Sequence, residues 1–327
     1  MQNARYDVVG IGNAIVDVIA TADDAFLERH AMSKGAMKLV DEAEAQSLYA
    51  DMGPASESSG GSAANTIAGI ASLGGRTAYI GKVRNDVLGD AFRHDITAVG
   101  ATFRTPATTD GPATARCLIL VTPDAQRTMN TYLGASVTLA PRDIDPDLIR
   151  SAAVTYLEGY LYDQELAQKA FVGASETAHG AGRRVSLSLS DAFCVERHRA
   201  AFMRLIEAHV DVLFANEAEA LALFESDRID VAVEKLRAMT GLAAITRGAR
   251  GSLVVTPDAV IDIAAAPVER VVDTTGAGDL YAAGFLYGFT TGVGLRACGE
   301  LGSLAAAEII SHVGARPLTP LRTLVTR

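Results

Sequence analysis

Short apolar runs, many of them β-branched, alternate with helix-competent segments over most of this chain, and that alternation limits the folds open to it. The runs are YDVVGIG (6–12), TAYIGKV (77–83), AVTYLEG (153–159), RVSLSLS (184–190), VDVLFAN (210–216) and LAAITRG (242–248). Between them lie stretches such as QELAQKAFVGASETAHG and VERHRAAFMRLIEAH. Strands that are apolar almost throughout lack the alternation of a sheet wetted on one face, so both faces must be covered; intervening helices supply the cover and the crossovers. The chain therefore reads as α/β, with a mostly parallel central sheet between two helical layers. In such sheets ligands sit beyond the carboxyl ends of the strands. Asn13, Glu158, Asp191, Asn216 and Gly248 lie at or just after those ends.

Two segments break the rhythm. They carry short extended pieces, AMKLV, ARCLILVT and RTMNTYLG, around polar turns such as TPDAQR, the pattern of a small sheet. Because both segments leave the α/β pattern and return to it, the expected organisation is a large domain of residues 1–17, 59–101 and 136–327 under a lid of residues 18–58 and 102–135. The 327 residues carry a net charge of −10 with no Lys/Arg-rich run. Nucleic acid is thus not expected as a partner, and a phosphate-bearing ligand must be held by backbone dipoles, a metal ion and a few placed cations. No apolar run is long enough to span a membrane, and no signal peptide is evident. Cys117, Cys194 and Cys298 are isolated and odd in number, which suits buried thiols in a reducing cytoplasm.

Three glycine clusters compete for the chemistry. GIGNAIVD begins like a dinucleotide fingerprint, but its third glycine would fall on Ile15. SGGSAANTIAGIASLGG places Gly60 and Gly61 before a helix whose first residues include Asn65. Paired glycines there admit a hydroxyl-rich ligand to main-chain amides, although a flexible turn feeding a buried helix would look the same. The third cluster, DTTGAGD (273–279), runs into LYAAGFLYGF, a helix apolar almost all the way round. A helix N-terminus has free N–H groups and a partial positive charge. Gly276, Ala277 and Gly278 clear side chains from that locus, as phosphoryl oxygens require, and Asp279 in the first turn points a carboxylate at it. Its ordinary pKa of about 4 makes it a weak base toward an alcohol, which is tolerable where the proton leaves late in a loose phosphoryl-transfer transition state.

DTTGAGD together with GGSAANTIAGIASLGGRTAYIGKVRNDVLGD resembles the two signatures of the ribokinase-like (phosphofructokinase-B type) carbohydrate and nucleoside kinases, with NEAEA and TRGARGS between them in matching order. The resemblance implies a three-layer α/β/α domain with a β-sheet lid, and ATP and Mg²⁺ as cofactors. Asp279 would be the base, with the amides of Gly276, Ala277 and Gly278 as the anion hole. Asn216 and Glu219 would place Mg²⁺ through its waters, a role that competes with simple helix capping. Thr246, Gly248 and Gly251 would lie along ATP. Asp17 would hold sugar hydroxyls, with Asn13, Ile15, Gly60, Gly61 and Asn65 around the same ligand. Asp273 and Thr275 match a monovalent-cation site, so K⁺ activation is an expectation.

Within the family, three stretches look like the adenosine kinase branch. LSLSDAFCVERHRAAFMRLIEAHVDVLFANEAEA places Phe193 near a purine, QRTMNTYLGAS places Arg127 at phosphate and Met129 at the base, and YLEGYLYD places Tyr160 on adenine. The expected activity is ATP-dependent phosphorylation of the adenosine 5′-hydroxyl, in a monomer or homodimer. Glu158 stands where ribokinase-type members have a sugar-contacting acid, which leaves a simple-sugar kinase as the alternative.

Overall fold

All six apolar runs become strands of one large sheet in the computed structural model, which describes residues 4–124 and 126–325. In chain order the strands are β1 (Tyr6–Ile11), β2 (Ile15–Thr21), β3 (Met37–Leu39), β4 (Ala55–Gly60), β5 (Thr77–Ile80), β6 (Thr102–Phe103), β7 (Ala115–Val121), β8 (Arg127–Tyr132), β9 (Ala152–Glu158), β10 (Arg184–Ser188), β11 (Val212–Asn216), β12 (Ala243–Thr246), β13 (Ser252–Val255) and β14 (Val260–Ile263). The helices are α1 (Asp24–Arg29), α2 (Glu42–Asp51), α3 (Ser62–Ser72), α4 (Val87–Ala98), α5 (Pro146–Ser151), α6 (Glu165–Gly180), α7 (Ala192–His209), α8 (Glu217–Phe224), α9 (Ile229–Met239), α10 (Ala277–Thr291), α11 (Leu295–Ile309) and α12 (Arg322–Val325). Among the described residues, none of them is long and apolar enough to cross a membrane.

The large sheet runs β14-β13-β12-β11-β10-β9-β1-β5-β6, parallel except for the β12–β13 and β13–β14 hairpins. Parallel register aligns the strand ends: Ile11 lies beside both Ile80 and Leu157, Glu158 beside Ser188, and Asn216 beside Thr246. The residues that follow those ends therefore open into one crevice. One apolar layer, with Ile67, Ile70, Leu280 and Phe285, packs on one face, and a second, with Phe171, Phe202 and Leu236, on the other.

A second sheet, ordered β3-β8-β7-β2-β4, is built from the two segments that broke the α/β rhythm. The expected domain boundaries shift: those after residues 17 and 58 fall inside β2 and β4, which reach further toward the crevice than anticipated, and β6, expected in the lid segment 102–135, pairs with β5 at the edge of the large sheet. β4, sequence ASESSG, has the composition of a loop; its backbone pairing with β2 from Ile15–Gly60 to Ala20–Ala55 makes it a strand, overriding local preference.

The apolar helix α10 is apolar all round because it is enclosed. Gly69 of α3 brings the position of its missing Cβ within 2.6 Å of Leu280 Cδ1 and 2.7 Å of the Ala283 Cβ. On the opposite side Gly284 lies against the Leu301 carbonyl of α11, and Gly302 within 2.8 Å of the Tyr281 carbonyl. Gly284 and Gly302 thus bring α10 and α11 to backbone contact, and Gly69 lets α3 close on the Leu280 and Ala283 side chains, which together set the position of α10. Gly284→Ala forces a methyl against the Leu301 carbonyl and should destabilise the fold by about 1–3 kcal/mol, the scale of overpacking a close core. An unchanged thermal midpoint would show that the α10–α11 contact has room for a methyl group.

Candidate active site

The carboxyl ends of the large sheet, the N-termini of α3 and α10 and the inner face of the small sheet enclose a cleft of about 600 Å³. Asn13, Ile15, Asp17, Gly61, Asn65 and Met129 line it on the lid side. Glu158, Tyr160, Phe193, Asn216, Glu219 and Thr246 line the sheet side, and Thr275, Gly276, Ala277, Gly278 and Asp279 close its floor. Gly60 lies directly behind, where any Cβ would overlap the Asp17 carboxylate.

α10 opens on Gly276 in the left-handed region at φ 79°, with no side chain capping the helix, so its first amides are not covered. Ala277 is the exception to the expected triad of donors: its N–H donates to the Thr274 carbonyl at 3.2 Å. Gly276 and Gly278 keep their N–H groups for a ligand, since neither donates to another group among the described residues. Asp279 follows, and α3 grips both its oxygens: Ser62 Oγ donates to Oδ1 at 2.6 Å and Asn65 Nδ2 donates to Oδ2 at 2.9 Å. Its carboxyl does not stay at its ordinary value. Burial pushes it up, against the pull of Ser62, Asn65 and the Arg316 charge. The shift makes the carboxylate a stronger base than its type suggests.

The other acids in the cleft are held differently. Glu158 is 1% exposed, and both of its oxygens serve the protein. One accepts from Asn13 N (3.2 Å) and Asn13 Nδ2 (2.6 Å), the other from Ala63 N at 2.8 Å. Burial carries its carboxyl from 4.5 up to about 7 against those donors. The Asp17 carboxylate accepts no hydrogen bond from the described residues; burial pushes it to about 6, opposed by the charges of Arg316 and Arg127. Two further acceptors, Asn13 Oδ1 and Asn65 Oδ1, are buried without a partner. Buried acceptors are normally paired, so the two asparagine oxygens, with the half-buried Asp17 carboxylate in the same cleft, are open to donors from a ligand.

Asn216 and Glu219 form a capping box on α8. Asn216 N and Nδ2 donate to the Glu219 carboxylate (2.9 and 2.6 Å), and Glu219 N donates to Asn216 Oδ1 (2.9 Å). Capping leaves lone pairs on the Glu219 carboxylate, and burial holds that carboxyl up at about 7, as a buried acid short of positive charge would be. The pair fits Mg²⁺ held through water, and no cluster of three or more His, Cys, Asp or Glu among the described residues offers a direct cage. The expected monovalent-cation site fits less well. The Asp273 carboxylate accepts from Thr275 N and Gly314 N, each at 3.0 Å, and from the Arg127 guanidinium, with which it forms a buried ion pair. The Ile310 carbonyl nearby accepts from Val272 N. Arg127 stands where the extra cation was expected, and it does not line the cleft.

Gly248 and Gly251 also fall outside the cleft lining; they form the β12–β13 turn, where a Cβ on Gly251 would meet the Ile263 carbonyl. Their glycine character answers to that turn. The lid face, by contrast, is richer than expected. Register sets Met37, Met129 and Ile119 in one row, and Leu39, Thr131, Cys117 and Asp17 in the next. Met37 and Leu39 are about half exposed, and across the cleft Tyr160 is 38% and Phe193 73% exposed. Large apolar groups and polar acceptors thus share the lining of the cleft. The three cysteines are free and buried, and burial pushes the Cys117 and Cys194 thiols up to about 12. Arg316 was not anticipated, nor was the hold of Ser62 on Asp279. Ser62 stood inside a quoted motif; Arg316 belongs to none, and only its closeness in space to Asp17 and Asp279 reveals it.

A family model described as pfkB family carbohydrate kinase matches residues 8–322. Among solved structures, adenosine kinase from Sinorhizobium meliloti is 51% identical, with a TM-score of 0.92 and 99% of each chain covered. A probable sugar kinase from Rhizobium etli CFN 42 is 46% identical, also with a TM-score of 0.92, covering 99% of this chain and 98% of that one. Adenosine kinase from Saccharomyces cerevisiae is 26% identical over 329 residues, 94% of this chain and 95% of that protein.

Asp17 supplies a check on the electrostatics. Between 3.8 and about 6 the folded chain keeps a proton that the unfolded chain has released. Stability from this group is therefore lost as pH rises through that window. Asp17→Asn removes the loss, so the thermal midpoint of the variant minus that of the unaltered protein should grow as pH rises across it. A difference flat with pH would contradict a buried, unpartnered Asp17.

Proposed function

The chain belongs to the pfkB family of carbohydrate kinases and is a phosphotransferase acting on an alcohol group, and from that premise we propose that its acceptor is the 5′-hydroxyl of adenosine, converted to AMP with ATP as donor. The observation that carries this reading is the mixed lining of the cleft. Asp17, Asn13 Oδ1 and Asn65 Oδ1 offer unpaired acceptors that suit ribose hydroxyls. Met37, Met129, Ile119, Tyr160 and Phe193 offer an apolar and aromatic wall that suits a purine and has nothing to do for a free sugar. The 51% identity to an adenosine kinase supports the same choice.

In this reading ribose lies against the acceptors, with its 5′-oxygen directed at Asp279. The 5′-oxygen forms a bond to the γ-phosphorus as the bond from that phosphorus to the β,γ-bridging oxygen breaks. The proton passes to the Asp279 carboxylate, and ADP leaves with the bridging electrons. The N–H groups of Gly276 and Gly278 meet the charge on the migrating group at a helix N-terminus, where it is stabilised without reorganisation. Asn216 and Glu219 would hold Mg²⁺ through water, and the ion would supply positive charge against the phosphates. Lid closure excludes water as a competing acceptor. A cytoplasmic setting suits three free, buried thiols.

An acceptor panel tests the proposal. Adenosine should be phosphorylated and free ribose barely so, and Asp279→Asn should lower kcat by a factor on the order of 10²–10⁴, the scale of general-base catalysis. Turnover of ribose with none of adenosine would transfer the chain to the simple-sugar kinases. Activity should also be indifferent to K⁺, because Arg127 already neutralises Asp273. Severalfold activation by KCl over tetramethylammonium chloride at equal ionic strength would overturn that assignment.

A further inference from the structure

Arg316 lies in the chain after α11 and takes no part in the chemistry described above. Its guanidinium makes three hydrogen bonds: Nε donates to the Ser59 carbonyl (3.0 Å), Nη2 to Ser59 Oγ (3.1 Å) and Nη1 to the Ala64 carbonyl (2.6 Å). Ser59 is near the end of lid strand β4, and Ala64 is in the first turn of α3. Between them lies the Gly60–Gly61 corner. Gly61 sits at φ 97°, where an added Cβ would strike the Asn13 carbonyl, and Gly60 backs onto Asp17. One side chain thus spans the joint between lid and large domain. The turn it holds is the one that presents Ser62 and Asn65 to Asp279. Asp95 of α4 fixes Ser59 from the other side, accepting from its N–H at 3.0 Å.

We propose that Arg316 is a positioning residue for phosphoryl transfer, clamping the Gly60–Gly61 corner so that Ser62 and Asn65 hold Asp279 in its working orientation, and standing a fixed positive charge beside Asp17 and Asp279. Burial brings the guanidinium down to about 10, with Asp17, Tyr79, Asp279 and Asp95 pulling the other way, so it remains charged at neutral pH. The groups facing Asp279 are Ser62 and Asn65 from α3 and Arg316 from the chain after α11. Asp17, Tyr156, Glu158, Tyr160 and Glu219 feel its charge. Among these groups Arg316 is the lone cation acting on Asp279. Removing it should make the base harder to ionise.

The test compares Arg316→Lys and Arg316→Met in the full chain, with Mg-ATP and whichever acceptor the unaltered protein turns over fastest. The proposal rests on phosphoryl transfer and not on the choice of adenosine; a wrong acceptor shows in the unaltered protein, whereas a wrong role for Arg316 shows in the variants alone. Lysine keeps the charge but cannot span the corner. Its kcat should fall by about 10–100-fold, as a small misplacement of reacting groups does. The acid limb of its kcat–pH profile should stay in place. Methionine should add an upward move of that limb by about one pH unit, as loss of a nearby opposite charge predicts. KM for ATP should stay within about threefold in both, because the lost interaction acts on the transition state. Full kcat in Arg316→Lys overturns the clamp, and an unmoved acid limb in Arg316→Met overturns the electrostatic part. Should the methionine variant fail to fold, the kcat of the lysine variant decides.

Discussion

A carboxylate cannot be both dry and ionised unless something answers its charge, and the site is arranged around that conflict at Asp279. Burial favours the protonated acid; Ser62, Asn65 and the nearby guanidinium favour the anion. A base needs both influences. Full hydration would leave it at its weak ordinary strength, and burial alone would leave it protonated. The balance holds only if the start of α10 stays fixed with respect to α3. The glycine contacts at Gly69, Gly284 and Gly302 supply that, so the apolar helix and the chemistry at its tip are one construction.

The other acids show what distinguishes a scaffold carboxylate from a ligand-binding one. Glu158, Glu219 and Asp17 are all raised by burial, to about 7, about 7 and about 6. Glu158 has both oxygens bound by the protein, and Glu219 caps its own helix. Asp17 alone of the three has no protein donor among the described residues. Glu158 therefore works on Asn13 and the N-terminus of α3, which accounts for an acid at that position without a sugar touching it. In a chain of net charge −10, gathering acids in this way demands local donors and a few buried cations.

The large sheet was legible because burial on both faces leaves an apolar run that propensity and periodicity detect. The bare start of α10 was legible because Gly276, Ala277 and Gly278 stand directly before an acid and a long apolar run. Strand β4 was not: Ala, Ser, Glu and Gly carry little strand preference, and its partner β2 supplies the order through the backbone. Gly248 and Gly251 invited a phosphate role, yet glycine at a tight hairpin looks the same in sequence as glycine at a ligand. Arg127 was foreseen at phosphate and instead pairs with Asp273, a contact across 146 positions that no local pattern encodes. Arg316 was invisible for the same reason.

The two asparagine oxygens buried without partners have a further consequence for selectivity. A site that excludes by bulk can be entered by anything smaller, whereas one that leaves acceptors unmatched charges every hydrogen-deficient analogue the same desolvation cost. An analogue that lacks the matching hydroxyl would leave those acceptors unpaired and bind less tightly for it. Discrimination of that kind needs no wall, only a dry interior with a donor missing.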